Sequence, residues 1–330
     1  MALVGAVCPV FLGRLGFVPD VEVLAMRVAI AVPHFFKPDG EGHYGSVRDN
    51  PQPRIDAVTR SLMALHGNLG SRQFGFYYGD RMEVSEANQS TQLTLDVLIC
   101  TRGDAHVLSK LPENQGIESL FTQVPVECED PKLLGYECHR VLGDRLGQYD
   151  YYCYLEDDLM IHDPYFFWKL QWFTGQMGYH CVLQPNRFEV MESPIARKVY
   201  IEPDFDSRTG TNEYYAQNFT DNCELKGSFL EQPIEFERAG DPHSGCFFLN
   251  NNQMHHWASH PCFLDRETHF IGPLESAATL GLMKAFRVYK PSAVNASFLE
   301  LQHNGSWNSK FLIENINNVL YPPRRSPQHG

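Results

Sequence analysis

Apolar and polar residues alternate along residues 26–178 in a pattern that predicts a regular succession of strands and helices. Three apolar runs, at residues 26–32, 93–100 and 151–155, are rich in branched or aromatic side chains and have the length of buried strands. Amphipathic segments at helical spacing begin near Pro51, Pro131 and Pro164. Strands that alternate with helices indicate an α/β fold, with a mostly parallel sheet and helices on both of its faces.

The ends of the three predicted strands bring separate stretches of the chain together. Residues 33–50 follow the first strand, residues 101–104 follow the second, and an acidic triplet at 156–158 follows the third. Ligands of open α/β sheets bind outside the carboxyl ends of the strands. We therefore expect these three stretches to form one ligand-binding edge.

The second half of the chain is less regular. Residues 72–88 are expected to be irregular or to form a hairpin, and the long polar and acidic stretch at 186–240 predicts a lid or an acceptor-binding insertion. Further strands are predicted at residues 180–184, 243–250 and 287–289, and further helices at residues 272–286 and after Ser306.

Composition and charge exclude several classes of protein. With 43% hydrophobic residues the chain can build a sizeable core, and its net charge of −13 argues against nucleic-acid binding. Nine cysteines without a C-x-x-C pair favour a reducing compartment over a disulfide framework. No stretch has the character of a transmembrane helix. We expect a cytoplasmic protein, and peripheral membrane association stays open.

Three consecutive acids at the end of an apolar strand are difficult to explain as packing. Glu156, Asp157 and Asp158 repel one another at the edge of a core, so they need protonation or a cation at neutral pH. Glu156 and Asp158 can face one side of the extended chain and Asp157 the other. Mn²⁺ or Mg²⁺, with phosphate oxygens and waters completing the shell, is the simplest cation. The competing interpretation is a solvated acidic turn.

The acidic triplet and the residues after it, through Phe167, resemble the metal-binding segment of GT-A fold glycosyltransferases. The E-D-D variant, with an apolar triplet and D-x-x-F-F after it, is most similar to the inverting N-acetylglucosaminyltransferase branch. The resemblance implies a Rossmann-like nucleotide-binding sheet, a nucleotide-sugar donor and a divalent metal. It makes Asp158 the direct metal ligand and Glu156 a second candidate ligand, with Glu156 and Asp157 facing the sugar and the ribose.

The same resemblance suggests roles for four residues in the second half of the chain. Glu275, at a predicted helix start, is the candidate general base, although many relatives have two adjacent acids where this chain has Glu275 and Ser276. The late His303 is a candidate metal ligand, and His243 and Gly245 are candidates for contact with the sugar or acceptor. The three titratable residues each have an ordinary alternative: a helix-terminal carboxylate for Glu275, and a surface or capping role for the two histidines.

The candidate nucleotide-binding residues are those at the ends of predicted strands, together with Asp157, which the resemblance adds. The others are Pro33, His34, Arg48, Arg102 and Asp104. Residues 40–45 have the spacing G-x-G-x-x-G, but they neither directly follow a predicted strand nor open a predicted helix, and the chain contains no G-x-x-x-x-G-K-[ST], so dinucleotide-binding and P-loop proteins lose support.

These observations predict one GT-A-like domain over residues 26–320. It would comprise a nucleotide-sugar half (26–185), the lid or acceptor insertion (186–240) and an acceptor half (241–320). Residues 1–25 are interpreted as a mis-called or disordered extension, with a packed apolar arm as the alternative, and residues 321–330 as a disordered tail.

The leading hypothesis is a metal-dependent glycosyltransferase that moves a sugar to a carbohydrate or other hydroxyl acceptor, with inversion if Glu275 is the base. Two alternatives stay open from the sequence. The first is a non-catalytic nucleotide- or sugar-binding protein with the same fold. The second is a metal-dependent phosphohydrolase or nucleotidyltransferase, although such enzymes usually need dispersed ligands or two metals.

Overall fold

A computed structural model describes most of the chain from Met26 onward. The described residues are 26–38, 49–79, 82–113, 116–191, 193, 196–201, 224–239, 242–270, 272–306, 309–311, 313 and 315. The expectations for residues 1–25, for the tail at 321–330 and for Arg48 lie outside these residues, as does most of the helix predicted after Ser306.

Fifteen strands lie within the described residues. They are β1 Arg27–His34, β2 Phe74–Tyr77, β3 Glu83–Glu86, β4 Thr94–Thr101, β5 Thr122–Pro125, β6 Tyr151–Leu155, β7 Leu159–Met160, β8 Cys181–Leu183, β9 Asn186–Val190, β10 Lys198–Ile201, β11 Glu224–Phe229, β12 Gln232–Arg238, β13 Cys246–Asn250, β14 Arg287–Pro291 and β15 Glu300–His303.

The helices are fewer, and they separate the strands of the first half as the sequence predicts. They are α1 Gln52–Asn68, α2 Leu134–Gly143, α3 Phe166–Met177, α4 Asn251–Ala258, α5 Pro273–Glu275 and α6 Gly281–Ala285, with a π-helical segment, Ser276–Leu280, between the last two. Short 3₁₀ helices lie at Leu108–Lys110, Ile117–Leu120, Pro131–Leu133 and Ala293–Phe298.

The central sheet is mixed but mostly parallel. Its strand order is β13-β6-β1-β4-β5. Strands β6, β1, β4 and β5 run parallel, and β13 pairs antiparallel with β6. The predicted α/β class with a mostly parallel sheet is therefore confirmed.

Helices cover both faces of this sheet because its central strand is apolar on both sides. Along β1, Val28, Ile30 and Val32 join a core cluster with residues of α1, whereas Ala29 and Ala31 join a second cluster with residues of α2. Strand neighbours point to opposite faces, which explains the alternation. Burial of each large apolar side chain contributes about 1.5–3 kcal/mol.

A second sheet, of order β10-β9-β15-β7, positions late residues beside the acidic triplet. Strand β7 begins directly after Asp158, and its Leu159 pairs with His303 of β15. On its other side β15 runs parallel to β9, with Gln302 opposite Phe188. The segment predicted as a lid thus contributes β9 to a sheet at the site; residues 202–223 of that segment lie outside the described residues.

A third sheet, of order β11-β12-β14-β8, and the hairpin β2–β3 complete the architecture. The hairpin confirms one of the two expectations for residues 72–88. Across the described ranges, no helix combines the length and apolar character needed to cross a membrane.

A buried histidine sits within the core cluster on the α2 face. His139 is 1% exposed, and its ring contacts Tyr136, Tyr154 and Trp257 edge to face. Neither ring nitrogen has a hydrogen bond of normal geometry within the described residues. Burial therefore lowers the pKa of His139 to about 3, and the backbone of Ala277 offsets this only in part.

His139 predicts a loss of stability at acidic pH. Its folded-state pKa lies below the ordinary value, so below about pH 6.5 the unfolded chain binds a proton that the folded protein rejects. Stability is fully present above that pH and falls by up to about 1.4 kcal/mol per pH unit toward pH 3. In His139→Phe this contribution disappears. The free energy of unfolding, measured by denaturant titration from pH 7 to pH 4.5, should therefore fall less steeply in the variant.

The matched control is His255→Phe, because His255 is exposed on α4. Its pH profile should run parallel to that of the unmodified protein. If the stability of His139→Phe fell with pH as steeply as that of the unmodified protein, this result would contradict the conclusion that His139 is buried as a neutral imidazole.

Candidate functional site

The carboxyl ends of β1, β4 and β6 meet at one edge of the central sheet. His34, the last residue of β1, lies opposite Thr101 at the end of β4, and Ala31 pairs with Tyr154 near the end of β6. The acidic triplet follows β6 directly. The three predicted strand ends therefore converge as expected.

Asp157 is buried and pairs with two basic side chains. His34 Nδ1 lies 2.5 Å from Asp157 Oδ2, and Arg54 Nη1 donates to Asp157 Oδ1. Burial opposes ionisation of Asp157, but Arg54 and His34 outweigh it and hold the pKa of this carboxyl below its ordinary value. The charge of Asp157 in turn raises the pKa of Arg54.

The tautomer of His34 follows from its second hydrogen bond. Its Nε2 accepts from the backbone N–H of Val107 at 3.1 Å, so the ring proton is on Nδ1 and is donated to Asp157. The three side chains join β1, α1 and the end of β6. Of the predicted nucleotide-binding residues, Pro33 is buried in the ladder of β1. His34 and Asp157 are engaged with each other.

Asp158 has a different environment from Asp157. Its Oδ2 lies 3.8 Å from Arg54 Nη1 and 3.7 Å from His303 Nε2, too far for a hydrogen bond with either. Its Oδ1 is buried and has no hydrogen-bond partner within the described residues. Asp158 and His303, which were predicted as metal ligands, thus lie together, with a carboxylate oxygen of Asp158 unsatisfied.

The second ring nitrogen of His303 is bound to a buried carboxylate. His303 Nδ1 lies 3.0 Å from Glu189 Oε1, and Glu189 Oε2 accepts from the backbone N–H of Ser309 at 2.7 Å. Burial opposes protonation of His303, but the hydrogen bond with Glu189 and the charge of Asp158 outweigh it and raise the pKa of the imidazole. A carboxylate on one ring nitrogen orients the other toward Asp158.

Glu156 is the acid whose charge is least compensated. Burial and the neighbouring charge of Asp158 raise its pKa to about 8, so it holds a proton at neutral pH. It packs against Gly245, whose carbonyl accepts from the Glu156 N–H at 2.9 Å. Gly245 has φ +64°, and a Cβ there would lie 2.8 Å from Glu156 Oε2. Only glycine fits this position without strain or displacement of Glu156.

Glu275 and His243 lie at the same edge. The side chain of Glu275 is half-buried, and its charge contributes to the raised pKa of Glu156. It has no hydrogen bond or ion pair with the residues that the structure describes. His243 is buried, and its Nδ1 lies 3.1 Å from the Thr279 hydroxyl. Burial, together with the charges of Arg187 and Lys290, lowers its pKa and keeps it neutral.

The remaining predicted nucleotide-binding residues lie after β4. Arg102 donates from Nη2 to the Glu129 carbonyl at 3.0 Å and from Nε to the Cys128 carbonyl, so its side chain fixes the loop before α2. Asp104 is exposed. Arg48 lies outside the described residues.

Three charged residues at the site were missed from the sequence. Arg54 lies in the first turn of α1, where the helix dipole disfavours a cation, and this unusual position was a usable signal for an anionic partner. Arg187 and Glu189 lie on β9, inside the segment interpreted as a lid. Glu189 meets a histidine 114 residues away, a contact that no local pattern indicates.

The arrangement offers a metal ion two protein ligands rather than a closed cage. Within the described part of the chain, no group of three or more His, Cys, Asp or Glu side chains is placed to hold a metal ion. Asp158 and His303 form a pair with an orphaned buried oxygen. Such a pair could hold a metal whose shell is completed by ligand oxygens and water.

Comparisons with known proteins give little further information. No family model matches the chain, and a search of curated proteins finds no similar sequence. Among solved structures, an active-site mutant of LgtC is 11% identical with a TM-score of 0.32, covering 80% of this chain and 72% of that chain. CMP:2-keto-3-deoxy-manno-octonic acid synthetase in complex with CTP is 10% identical with a TM-score of 0.33, covering 89% of this chain and 98% of that chain. Similarities this distant carry no argument about the fold or the chemistry.

The Asp157 contacts predict that Arg54 is essential for stability. Arg54→Met removes the cation beside a buried carboxylate, and breaking a buried pair in this way costs about 3–5 kcal/mol. The free energy of unfolding from urea titration should fall by that amount. In the double variant Arg54→Met, Asp157→Asn, much of the loss should be recovered because no buried charge is left unpaired.

Arg60→Met serves as the matched control. Arg60 lies on the same helix, is exposed and bonds to the amide oxygen of Asn304 rather than to a carboxylate. Its substitution should change stability by no more than about 0.5 kcal/mol. Equal losses in the free energy of unfolding for Arg54→Met and Arg60→Met would contradict the assignment of Arg54 as the cation that compensates the buried Asp157 carboxylate.

Proposed function

We propose that this protein is a metal-dependent glycosyltransferase of GT-A type, which moves a sugar from a nucleotide-sugar donor to an acceptor hydroxyl. The pairing of Asp158 with His303 carries this proposal. The two residues are far apart in the sequence, and the resemblance of the acidic triplet to GT-A enzymes implies that both are metal ligands. Their side chains approach to 3.7 Å.

The donor set fits Mn²⁺ or Mg²⁺. Asp158 provides carboxylate oxygens, one of them buried without a partner, and His303 provides an imidazole nitrogen held in orientation by Glu189. Because Mg²⁺ strongly prefers oxygen ligands, the imidazole favours Mn²⁺. When bound, the metal would offset the charge of the donor diphosphate and improve the nucleoside diphosphate as a leaving group.

The protein's own residues have distinct tasks in this proposal. Asp157, His34 and Arg54 hold the end of β6 in place, so that Asp158 is presented at the edge of the sheet. The nucleotide would lie over the same edge, near Asp104 and the loop after β4. Glu156 lies between Asp158 and Gly245, where its carboxyl group can hydrogen-bond to the sugar.

Glu275 is the proposed general base. It is half-buried beside Glu156 and has no partner among the described residues, so it is available to accept the proton of the acceptor hydroxyl as the hydroxyl attacks the sugar. A single in-line displacement of this kind inverts the configuration at the sugar carbon.

The first test is a thermal shift assay against nucleoside diphosphates and nucleotide sugars, with and without Mn²⁺. A ligand at 100 times its Kd stabilises the folded state by about 2.7 kcal/mol, which raises Tm by several degrees. We expect a rise with one nucleotide that requires Mn²⁺. Asp158→Asn should abolish the metal-dependent part, because it removes the ligand charge with little change in shape.

Two further variants sharpen this assay. Asp144→Asn, at an exposed carboxylate on the far end of α2, should respond as the unmodified protein does. Glu275→Gln should keep the thermal response but lose sugar transfer, which separates the base from the binding residues. No response to any nucleotide, or an equal response in Asp158→Asn, would count against a metal-dependent transferase.

A further inference from the structure

A polar cavity lies at the opposite end of β6 from the acidic triplet. Its volume is about 470 Å³, within the range of small-molecule sites. Tyr151, the first residue of β6, is among its lining residues, and Glu156 follows the last residue of the strand. Glu156 is five positions after Tyr151 along extended chain, which rises by about 3.3 Å per residue. The cavity is therefore distinct from the proposed transferase site.

The lining has an unusual composition. Six of the eleven lining residues are asparagine or glutamine, and Asp150 contributes a carboxylate, whereas lysine, arginine and histidine are absent from the lining. A side-chain amide offers both hydrogen-bond donors and an acceptor, although Gln89, Gln92 and Asn250 already use part of this capacity within the protein. The lack of cations disfavours phosphate and carboxylate ligands, and the abundance of amides suits a neutral ligand with many hydroxyl groups.

Two buried polar atoms of the lining residues lack partners. The Tyr151 hydroxyl and Asn251 Oδ1 have no hydrogen bond within the described residues, although Tyr151 is only 3% exposed. The Tyr151 ring is fixed by an edge-to-face contact with Phe167, at 5.1 Å between centroids. Both atoms are covered by the protein, so a ligand in the cavity would meet the residues Tyr151 and Asn251 without bonding to these two atoms as they stand, and the accessible side chains of the lining would have to provide the hydrogen bonds.

An aromatic surface and free amides accompany these atoms. Trp168 of α3 lines the cavity and is half-buried, with Tyr165 beside it at 6.4 Å between ring centroids. Gln171 and Asn252 are exposed, and their side chains form no hydrogen bonds with the described residues. The indole ring can pack on the C–H face of a sugar, while the amides and Asp150 bind its hydroxyl groups.

We propose that this cavity is a second binding site, which takes a neutral oligosaccharide. The site is independent of the transferase chemistry, because it shares no residue with the acidic edge. It would give the protein a means of holding a glycan away from the point of sugar transfer.

Isothermal titration calorimetry on the full chain tests this site. The probes are maltotriose, cellotriose, chitotriose and α-mannotriose, with trigalacturonate as an anionic comparison. At least one neutral trisaccharide should bind saturably, and trigalacturonate should not. The double variant Gln171→Ala, Asn252→Ala alters only exposed side chains and should weaken binding at least tenfold. Trp168→Ala should also weaken binding. It should abolish any change that the ligand induces in the tryptophan fluorescence of the unmodified protein.

Two controls separate the cavity from other sites. Gln176→Ala changes an exposed amide on the same helix outside the cavity and should leave binding unchanged. Asp158→Asn should also leave it unchanged, so failure of the transferase proposal would not affect this result. Absence of saturable binding by all four neutral probes overturns the proposal, as does binding that survives the double variant or is lost in Asp158→Asn.

Discussion

The charge of three consecutive acids at the end of a buried strand is the constraint on which this structure depends. Each acid is accommodated differently. Asp157 is neutralised by Arg54 and hydrogen-bonded by His34, Glu156 is kept protonated by burial, and Asp158 faces His303 with one oxygen unsatisfied. Because Asp157 and Glu156 are accommodated within the protein, Asp158 is the acid of the triplet that keeps an oxygen without a partner among the described residues.

The second sheet brings residues from distant parts of the chain to the acidic triplet. Strand β7 follows Asp158 without a break, and its pairing with β15 fixes His303 beside that carboxylate. Strand β9 then presents Glu189 to the other side of the imidazole. On the opposite flank, β13 runs antiparallel to β6 and its preceding Gly245 leaves room for Glu156. Backbone pairing, rather than a flexible loop, therefore sets the geometry.

Much of the central sheet could be predicted because its signals are local. Short stretches of sequence are enough to predict the apolar strands β1 and β6 and the amphipathic helix α1. The order of these elements along the chain then predicts which strand ends meet at the sheet edge. His303 was selected by family resemblance and lies beside Asp158. The partners of Arg54 and Glu189, and the engagement of Asp157 with His34, could not be derived, because each depends on pairing between segments more than 100 residues apart. The role of β9 was missed for a different reason. It lies at the start of a polar, weakly periodic segment that gives no local sign of a strand.

Metal binding by Asp158 and His303 is tested most directly by anomalous diffraction from crystals grown with Mn²⁺ and the nucleoside diphosphate that gives the largest thermal response. We expect a manganese peak within bonding distance of both Asp158 and His303 Nε2, with diphosphate oxygens completing its shell and Glu189 still bonded to His303 Nδ1. A nucleotide bound without manganese at this pair, or a manganese ion held by other residues, would contradict it.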